Sequence, residues 1–493
     1  MASIQISQLT FAHDGSVENL FDDVSFRLDT DWKLGLTGRN GRGKTTLLQL
    51  LCGVYPYQGR ISSPVAFDYF PFPVAPPTRT AREVVMAHAP DAQAWEVSRE
   101  LSLLEVDEEV LDRPIETLSP GERTKLLLAA LFVRPNRFLL IDEPTNHLDE
   151  TARRKVAAYL DGKRGFILVS HDRRFLDGCV DHILSIGKTR IDVQQGNFTS
   201  WWENKERRDR FEQDQNERLQ REIGKLSTAA RRTAAWSDRI ERSKYNGDNP
   251  TGKLDRGYIG HQSARMMKRS KAIVQRKEQA AEEKAALLHD VERVDNLAIH
   301  PLEYPKPVLV EAAGLSIRYG DRPVFEGFDF SLHRGERVAL CGRNGCGKSS
   351  LLKLIAGESV PYGGTLRIGS GLVLSRIPQD TTHLRGRLAD YVRNTAVDET
   401  LFRAILSKLE IRGEHWDKDL ADFSDGMKKK VLLARSLCEP AHLYLWDEPL
   451  NYVDVISRMQ IEDLLRSSQP TMLLVEHDAA FLDVVATRRV SIG

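Results

Sequence analysis

Short apolar stretches alternate with polar turns in the first and the last two hundred residues of the chain. Residues 4–9 and 24–28 alternate between apolar and polar side chains, whereas residues 33–36, 138–141 and 166–169 are almost continuously apolar. Alternation is typical of a half-exposed strand, and a continuous apolar run is typical of a strand buried in a parallel sheet. The pattern predicts an α/β fold with polar residues at the strand ends, where such sheets bind their ligands.

The middle of the chain has a different pattern. Residues 201–242 and 262–296 are rich in Glu, Lys, Arg, Gln and Ala, and apolar positions such as Leu219 and Ile223 recur at helical spacing. Between them, residues 246–252 read Asn-Gly-Asp-Asn-Pro-Thr-Gly, a cluster of turn formers. The sequence therefore predicts an α-helical hairpin with arms on the order of 60 Å, for about 40 residues at the helical rise.

Two motifs occur twice. GRNGRGKTT, which begins at Gly38, recurs as GRNGCGKSS from Gly342, and LIDEPTN from Leu140 recurs as LWDEPLN from Leu445, at offsets of 304 and 305 residues. Duplication explains two matched motifs more simply than chance does. The sequence thus predicts two α/β domains, residues 1–200 and 306–493, joined by a linker, residues 201–305. These are called the first repeat, the second repeat and the insert below.

Composition excludes several classes of protein. Hydrophobic residues make up 41% of the 493 positions and charged residues 28%, which is ordinary for a globular protein of more than one domain. Five cysteines without CxxC spacing argue against a structural zinc site, an iron-sulfur cluster or a secreted disulfide framework. No apolar run reaches the roughly 20 residues that cross a bilayer, so we expect a cytoplasmic protein without a membrane segment.

The repeated glycine-rich motif has the pattern GxxxxGK[ST] between a strand and a helix. In this pattern backbone N–H groups surround phosphate oxygens, the lysine contacts the β- and γ-phosphates, and the following hydroxyl binds Mg²⁺. The alternative, a glycine-rich turn with a solvated lysine, explains neither the context nor the second copy. The predicted ATP-binding residues are Gly38, Arg39, Asn40, Gly41, Arg42, Gly43, Lys44, Thr45 and Thr46, and Gly342, Arg343, Asn344, Gly345, Cys346, Gly347, Lys348, Ser349 and Ser350.

About 100 residues after each loop, an apolar strand ends in Asp-Glu. We expect Asp142 and Asp447 to hold Mg²⁺ and Glu143 and Glu448 to orient or deprotonate the attacking water. A glutamate at this place could instead cap a helix, but its position beside a phosphate-binding loop favours catalysis. ATP and Mg²⁺ are accordingly the predicted cofactors, with Thr45, Ser349 and the two aspartates as metal ligands.

Taken together, the loops and Asp-Glu strands resemble the ATP-binding cassette (ABC) ATPases over nearly the whole chain outside the insert. LSPGE at residues 118–122 is similar to the family's signature, and FSDGM at residues 423–427 is a degraded copy. The resemblance implies head-to-tail docking, so that ATP on Lys44 meets the Ser424 signature, ATP on Lys348 meets the Ser119 signature, and the former site hydrolyses more slowly. The signature residues expected to act in trans are Ser119, Gly121, Glu122, Ser424 and Gly426.

The same resemblance implies further site residues. His171 and His477, each in a His-Asp pair after an apolar strand, match the switch histidine that contacts the γ-phosphate. Phe11 and Tyr319 lie where the family stacks adenine on an aromatic ring, although an aromatic in an early strand is also typical of core. Gln379 matches the glutamine loop that contacts the metal, and residues 68–74 of the first repeat contain no glutamine.

Charge is segregated in the insert although the whole chain is neutral. Residues 225–277 hold 14 Lys and Arg against 4 Asp and Glu, interleaved with aromatic residues. Such a segment can neutralise phosphates and stack on bases, whereas a merely solvated helix would mix its charges. The predicted ribosome or tRNA contacts are Trp236, Tyr245, Tyr258, Met266, Met267, Lys268, Arg269 and Lys271.

Tandem cassettes joined by a charged hairpin resemble the ABC-F translational ATPases. Residues 255–271 and the WDEPLNYVD segment from Trp446 are similar to the Lsa/Vga-type resistance branch. The resemblance implies a ribosome-protection ATPase that binds the E site of the bacterial 70S ribosome in its ATP-bound closed form. Its linker would reach the P-site tRNA and 23S rRNA and displace lincosamides, streptogramin A compounds and pleuromutilins, and ATP hydrolysis would release it.

Three alternative functions are also compatible with the sequence. A housekeeping ABC-F factor would relieve stalled ribosomes without any drug. The ATPase subunit of a drug exporter would need a separate membrane partner and would leave the basic insert without a role. A DNA-repair ATPase would need a far longer coiled coil or a zinc site, so no DNA partner is expected. Because one chain already holds both cassettes, we expect a monomer.

Overall fold

The structure is a computed structural model. It describes residues 2–13, 15, 19–74, 78–145, 148–187, 191–243, 268, 272, 275–276, 299, 301–320, 322–343, 345–395, 397–409, 411, 413–451 and 453–492. The chain divides into two compact units, one formed by Met1–Trp201 with Asn296–Gly493 and the other by Trp202–Asp295. Both repeats therefore lie in the first unit.

The first repeat is built from short strands and helices in alternation. Its strands are β1 (Ser3–Phe11), β2 (Phe21–Asp29), β3 (Lys33–Thr37), β4 (Gln58–Ser62), β5 (Ala66–Phe70), β6 (Arg137–Asp142), β7 (Phe166–Val169), β8 (His182–Ile186) and β9 (Ile191–Gln195). Its helices are α1 (Lys44–Leu51), α2 (Ala81–His88), α3 (Ala94–Leu103), α4 (Pro120–Phe132), α5 (Glu150–Asp161) and α6 (Arg173–Asp177). Short 3-10 turns lie at Glu108–Asp112 and Ile115–Thr117.

A long helix, α7 (Phe198–Ser243), leads from the first repeat into the insert, and the second repeat follows the insert. Its strands are β10 (Val308–Tyr319), β11 (Arg322–His333), β12 (Arg337–Cys341), β13 (Tyr362–Ile368), β14 (Leu374–Ile377), β15 (Leu443–Asp447), β16 (Met472–Val475) and β17 (Arg488–Ser491). Its helices are α8 (Lys348–Ile355), α9 (Leu388–Asn394), α10 (Glu399–Lys408), α11 (Asp425–Cys438), α12 (Val455–Ser468) and α13 (Ala479–Val485), with 3-10 turns at Gly413–His415 and Leu420–Asp422.

Each repeat places its site at the edge of a mostly parallel sheet. In the described residues of the first repeat the strand order is β5-β6-β7-β3-β8-β9, with β9 antiparallel, and in the second it is β14-β15-β16-β12-β17. Asp142 at the end of β6 pairs with Val169 of β7, which pairs in turn with Leu36 of β3. The residues that follow β3, β6 and β7 therefore meet at one edge, as the predicted α/β fold requires.

Apolar side chains fill the space between these sheets and their helices. β7 and β16 are buried along their whole length, which explains why they read as continuous apolar runs. Trp446 is fully buried, and its Nε1 donates to Ser436 Oγ at 2.9 Å, so the indole loses water without losing its hydrogen bond. The strand that carries Asp447 is thus fixed from inside the core.

The predicted first arm of the insert is confirmed as α7. Its 46 residues span about 69 Å at the helical rise. Ion pairs at spacing four support the helix, among them Lys205 with Asp209 at 2.7 Å and Arg221 with Glu217 at 3.0 Å. Of the predicted second arm, residues 268, 272, 275 and 276 are described and helical, and the predicted turn at residues 246–252 lies outside the described residues.

Candidate functional site

Each phosphate-binding loop ends on a glycine whose backbone conformation and close neighbours disfavour a larger residue. Gly43 and Gly347 directly precede α1 and α8 and have φ angles of 86° and 100°, in the left-handed region that favours glycine. A Cβ atom at Gly347 would lie 2.6 Å from Val324 Cγ1, and one at Gly43 would lie 2.8 Å from Leu20 Cδ2. The N–H groups of each first helical turn therefore open directly onto the loop and can bind phosphate.

The two loop lysines lie over their own loops. Lys44 Nζ donates to the carbonyl oxygens of Gly38 at 2.7 Å and Arg39 at 3.1 Å, and Lys348 Nζ donates to that of Gly342 at 2.8 Å. Both lysines are buried. Because carbonyl dipoles only partly neutralise an ammonium group, each lysine still offers positive charge to phosphate oxygens.

Side-chain oxygens that could ligate a metal ion converge beside each loop. In the first repeat, Thr45 Oγ1 donates to Asp142 Oδ2 at 2.7 Å. In the second, Ser349 Oγ lies 3.5 Å from Gln379 Oε1, and Asp447 Oδ1 is buried without a hydrogen-bond partner among the described residues. Burial also raises the pKa of Asp447. Hard cations prefer hydroxyl, amide and carboxylate oxygens as ligands, so the side-chain oxygens of the second repeat fit a divalent cation. Such a cation would also provide a partner for the unpaired Asp447 oxygen.

The glutamine position differs between the repeats. β5 and β14 pair in the same register with the strands that end at Asp142 and Asp447, so Phe72 occupies the place that Gln379 holds in the second repeat. The Phe72 ring stacks on His88 with ring centroids 3.9 Å apart. A phenyl ring has no oxygen that could ligate the metal ion, so the first repeat lacks the ligand that Gln379 offers in the second.

A tyrosine contacts the same aspartate instead. The Tyr69 hydroxyl donates to Asp142 Oδ2 at 2.9 Å, the oxygen that also accepts from Thr45. Burial, and then the negative charge of Asp142, raise the pKa of Tyr69 far above its ordinary value, so the phenol remains a donor. One carboxylate oxygen of the first repeat is therefore held by two protein hydroxyls.

The glutamates after the two strands adopt an unusual backbone conformation. Glu143 and Glu448 both have a φ angle of 50°, in the left-handed region that non-glycine residues rarely occupy. Each points at its own switch histidine, with His171 Nε2 3.1 Å from Glu143 Oε1 and His477 Nε2 3.4 Å from Glu448 Oε1. The structure thus brings together the glutamate and histidine of each repeat, and such local strain is concentrated at functional sites.

The two glutamates differ in their electrostatic surroundings. Burial, and next the charge of Asp142, raise the pKa of Glu143 to about 8. Burial acts in the same direction on Glu448, but contact with His477 outweighs it and lowers the pKa of that carboxyl. Burial also lowers the pKa of His171 well below its ordinary value, so that ring is neutral. At neutral pH Glu448 is ionised, as a general base must be.

The two predicted adenine-stacking residues have different places. Tyr319 is 49% exposed, and its hydroxyl lies 3.0 Å from Ser350 Oγ beside the second loop. Phe11 was the wrong choice, because it packs in the core of the first repeat and is only 6% exposed. His13 takes the corresponding place, with its Nε2 atom 3.4 Å from Thr46 Oγ1.

The signature residues open two helices. Ser119 caps α4 by accepting from the N–H of Glu122 at 3.2 Å, and the Glu122 carboxylate accepts from the N–H of Ser119 at 2.8 Å. Gly121 lies in this first turn. In α11, Ser424 Oγ accepts from the N–H of Met427 at 3.3 Å, with Gly426 beside it. Methionine cannot return a carboxylate hydrogen bond, so the second signature lacks the reciprocal cap.

A cleft of about 770 Å³ at the second loop is lined by both repeats. Its lining includes Lys348, Ser349, Tyr319, Gln379, Glu448 and His477 from the second repeat, and Pro120, Leu148 and Arg153 from the first. Pro120 is the first residue of α4, the helix that Ser119 caps. The cleft therefore joins the Lys348 loop to the signature helix of the other repeat.

The predicted ribosome or tRNA contacts of the insert are not part of the ATP sites described above. Trp236 is part of α7, and Lys268 is helical and exposed. The remaining predicted contacts of the insert, together with Asn344 of the second loop, lie outside the described residues; they are Tyr245, Tyr258, Met266, Met267, Arg269 and Lys271.

The model of the ABC transporter family matches residues 21–146 and 325–451, which together are half of the chain. The chain belongs to the ABC transporter family. Its two ABC domains bind ATP, and the protein is an ATP hydrolase. In the described part of this ABC ATPase, no helix is long and apolar enough to cross a membrane.

Relatives of this ABC ATPase include members of the ABC-F family. ATP-binding protein Uup of Caulobacter vibrioides is 29% identical over 96% of this chain and 74% of its own length. Energy-dependent translational throttle protein EttA of Haemophilus influenzae is 26% identical over 96% of this chain and 89% of its own. Ribosome protection protein VmlR of Bacillus subtilis is 26% identical over 97% of this chain and 84% of its own length.

Solved structures share the fold. The archaeal ribosome recycling factor aABCE1, in complex with the ribosomal stalk protein aP1, superposes with a TM-score of 0.65 at 20% sequence identity. The match covers 98% of this chain and 87% of that chain. At this identity the similarity supports the tandem ABC architecture alone.

Some residues of the site were missed by sequence reasoning. Arg153 belongs to no motif, and Tyr69 lies in the 68–74 segment, which was noted only because it contains no glutamine. Nothing in the linear pattern indicated the contacts of either residue. Asn451 donates to Glu448 Oε2 at 2.9 Å, and its place after the second Asp-Glu-Pro was a usable signal. An alignment of the two first strands, LTFAH from Leu9 with LSIRY from Leu315, would have matched His13 with Tyr319 and placed Phe11 opposite Ile317.

The difference between Phe72 in the first repeat and Gln379 in the second can be tested by substitution at each position. Gln379→Phe, which copies Phe72 into the second repeat, should lower kcat for ATP about tenfold or more, because it removes a donor beside Ser349. Phe72→Leu should leave kcat within about twofold, since the ring contributes packing and no ligand. Steady-state ATPase assays on the two variants provide the measurement. Equal losses in both would contradict the assignment.

Proposed function

We propose that this ABC ATPase is a ribosome-protection protein that binds the E site of the bacterial 70S ribosome in an ATP-bound, closed form. It displaces lincosamides, streptogramin A compounds and pleuromutilins from the peptidyl-transferase centre. The observation that carries the proposal is the match to a ribosome protection protein over 97% of this chain, which includes the insert as well as both repeats.

The composite cleft supports a clamp mechanism. ATP on the Lys348 loop is contacted by the Ser119 signature of the other repeat, so its binding favours the closed arrangement. Glu448 activates the water, and His477 contacts the γ-phosphate. Hydrolysis removes the shared γ-phosphate contact, and the repeats separate and release the ribosome.

Magnesium fits the same account. Ser349, Gln379 and Asp447 would hold the ion in the second repeat, and Thr45 and Asp142 would hold it in the first. Bound Mg²⁺ neutralises negative charge on the phosphates. The residues of the chain orient ATP and its attacking water around that charge.

The two sites have unequal rates in this proposal. ATP on Lys44 meets the Ser424 signature, which lacks the reciprocal cap, and its metal site has Phe72 in the glutamine position. Glu143 and His171 are the corresponding catalytic pair of this site. The Lys44 site therefore turns over more slowly than the Lys348 site.

The insert supplies the contact with RNA. Its residues 225–277 hold 14 basic and 4 acidic side chains, a segregated charge suited to the phosphates of 23S rRNA and P-site tRNA. The proposed domains are residues 1–200, 201–305 and 306–493, with the insert pushed toward the drug site by closure of the two repeats. The protein acts as a cytoplasmic monomer.

A housekeeping translation factor is the second candidate. It is favoured by the match to the translational throttle protein EttA, which covers 89% of that relative. Such a factor would use the same clamp on stalled ribosomes and would give no protection from drugs. The two candidates therefore differ in drug phenotype and agree in ribosome binding.

Drug susceptibility separates the two candidates. A sensitive bacterial host expressing the protein should survive higher concentrations of a lincosamide and a pleuromutilin, because their binding sites lie within reach of the insert. Its sensitivity to a drug that acts elsewhere on the ribosome should not change. The Glu143→Gln/Glu448→Gln form is the matched control and should not protect. Unchanged susceptibility to all the drugs would overturn the resistance proposal in favour of the housekeeping factor.

The insert proposal has its own test. Charge reversal at Lys268, Arg269 and Lys271 should weaken ribosome binding and lower the slope of log affinity against log salt by roughly 3, about 1 for each lost phosphate contact. Charge reversal at three basic residues on the second repeat, Lys306, Arg318 and Arg367, is the matched control. Filter binding at several salt concentrations measures the slope. If both triple variants bind with the parent slope, the basic segment of the insert is a solvated surface.

A further inference from the structure

Two arginines occupy equivalent places in the repeats. Arg153 and Arg458 each lie four residues after an aspartate, Asp149 or Asp454, that caps the helix following the Asp-Glu strand. Only 14% of the Arg153 side chain and 8% of the Arg458 side chain are exposed. A guanidinium with so little access to water must be held by acceptors in the protein.

Each arginine is bound to the residue after its own switch histidine. Arg153 Nη1 lies 3.1 Å from Asp172 Oδ2, and Arg458 Nη1 lies 3.1 Å from Asp478 Oδ2. Each Nε also donates to a carbonyl oxygen of its own loop, at 3.1 Å to Leu148 for Arg153 and at 2.9 Å to Val453 for Arg458. The arginines therefore connect the loop after each Asp-Glu strand to the segment that carries each switch histidine.

The two ion pairs are neighbours, because Arg153 Nη1 also lies 3.3 Å from the carbonyl oxygen of His477, the residue before Asp478. Burial, and next the charge of Asp478, raise the pKa of Asp172, while the charges of Arg153 and Arg458 oppose this effect. The charge of Asp172 in turn stabilises the protonated form of Arg458. Two arginines and two aspartates from both repeats thus form one charge cluster, called the arginine cluster below.

One hydrogen bond of this cluster joins the first repeat to the switch histidine of the second repeat. Arg153 Nη1 donates to the backbone carbonyl of His477 at 3.3 Å. Arg153 also lines the cleft that contains Lys348 and Glu448. An arginine of the first repeat therefore belongs to the ATP site of the second, although no sequence motif assigns it there.

We propose that Arg153 is a positioning residue for His477 and that the arginine cluster couples the two ATP sites. A guanidinium can hold Asp172 and the His477 carbonyl together only when the repeats are docked, so docking fixes the backbone of the switch histidine next to Glu448. Because Asp172 directly follows His171, a shift of His171 in the first repeat also moves the Arg153 guanidinium. ATP binding at one site thereby favours the competent geometry at the other.

Arginine suits this place better than lysine. The planar fork of Arg153 spans Leu148 with Nε and both Asp172 and His477 with Nη1. An ammonium group carries its three N–H bonds on one nitrogen at the end of a flexible stem, so it cannot reach acceptors that the guanidinium contacts from two separate nitrogens. Lysine would preserve the charge of the cluster and lose its geometry.

The test compares Arg153→Ala and Arg153→Lys with Arg154→Ala. Arg154 is the adjacent residue of α5, and its side chain is 76% exposed in an ion pair with Glu150. We expect both Arg153 variants to lower kcat about tenfold or more, as misplacement of a catalytic group does, with KM changed by less than about threefold. The Hill coefficient for ATP should exceed 1 in the parent and fall to about 1 in both variants. Arg154→Ala should behave as the parent.

The outcomes are distinguishable from loss of folding. Arg153→Lys keeps the charge balance of the buried cluster, so its thermal unfolding should match that of the parent while its cooperativity is lost. A parent Hill coefficient of 1, or an Arg153→Lys variant with parental kcat and cooperativity, would overturn the proposal. These assays use ATP alone, so their result does not depend on whether the protein acts on ribosomes.

Discussion

Parallel strand pairing is the constraint on which both ATP sites depend. Because β3, β6 and β7 run in the same direction and pair in register, the phosphate loop, Asp142 and His171 follow strands that end at one edge of the sheet. The second repeat obeys the same constraint with β12, β15 and β16. Buried apolar side chains fix that register, so residues distant in sequence meet where ATP binds. The Lys348 site also takes part of its lining from Pro120, the first residue of the signature helix of the other repeat.

Local sequence was sufficient to predict the strands and the motifs that follow them. The predicted strands at residues 4–9, 33–36, 138–141 and 166–169 lie within β1, β3, β6 and β7, and the predicted first arm of the insert is α7. The loops, the Asp-Glu pairs and the histidines were recognisable because each needs a particular residue type at a fixed place after a strand. Duplication strengthened these predictions, since each motif was found twice.

Contacts that depend on tertiary geometry could not be predicted in this way. Phe11 was chosen because it is aromatic, but the period of β1 turns it into the core and leaves His13 beside the loop. The Tyr69 hydroxyl reaches Asp142 from a neighbouring strand, and Arg153 reaches His477 from the other repeat, at a separation of 324 residues. No local pattern encodes such contacts. They make the two nominally equivalent sites chemically different and physically connected.

The measurement that tests the account most directly is co-sedimentation of the Glu143→Gln/Glu448→Gln protein with bacterial 70S ribosomes in the presence of ATP. Glutamine keeps the shape of each side chain and removes the base, so ATP remains bound and the repeats remain closed. The account predicts that the variant pellets with ribosomes in ATP and is released when ATP is omitted. A variant that stays in the supernatant while still binding ATP would contradict the claim that ATP-driven closure holds this protein on the ribosome.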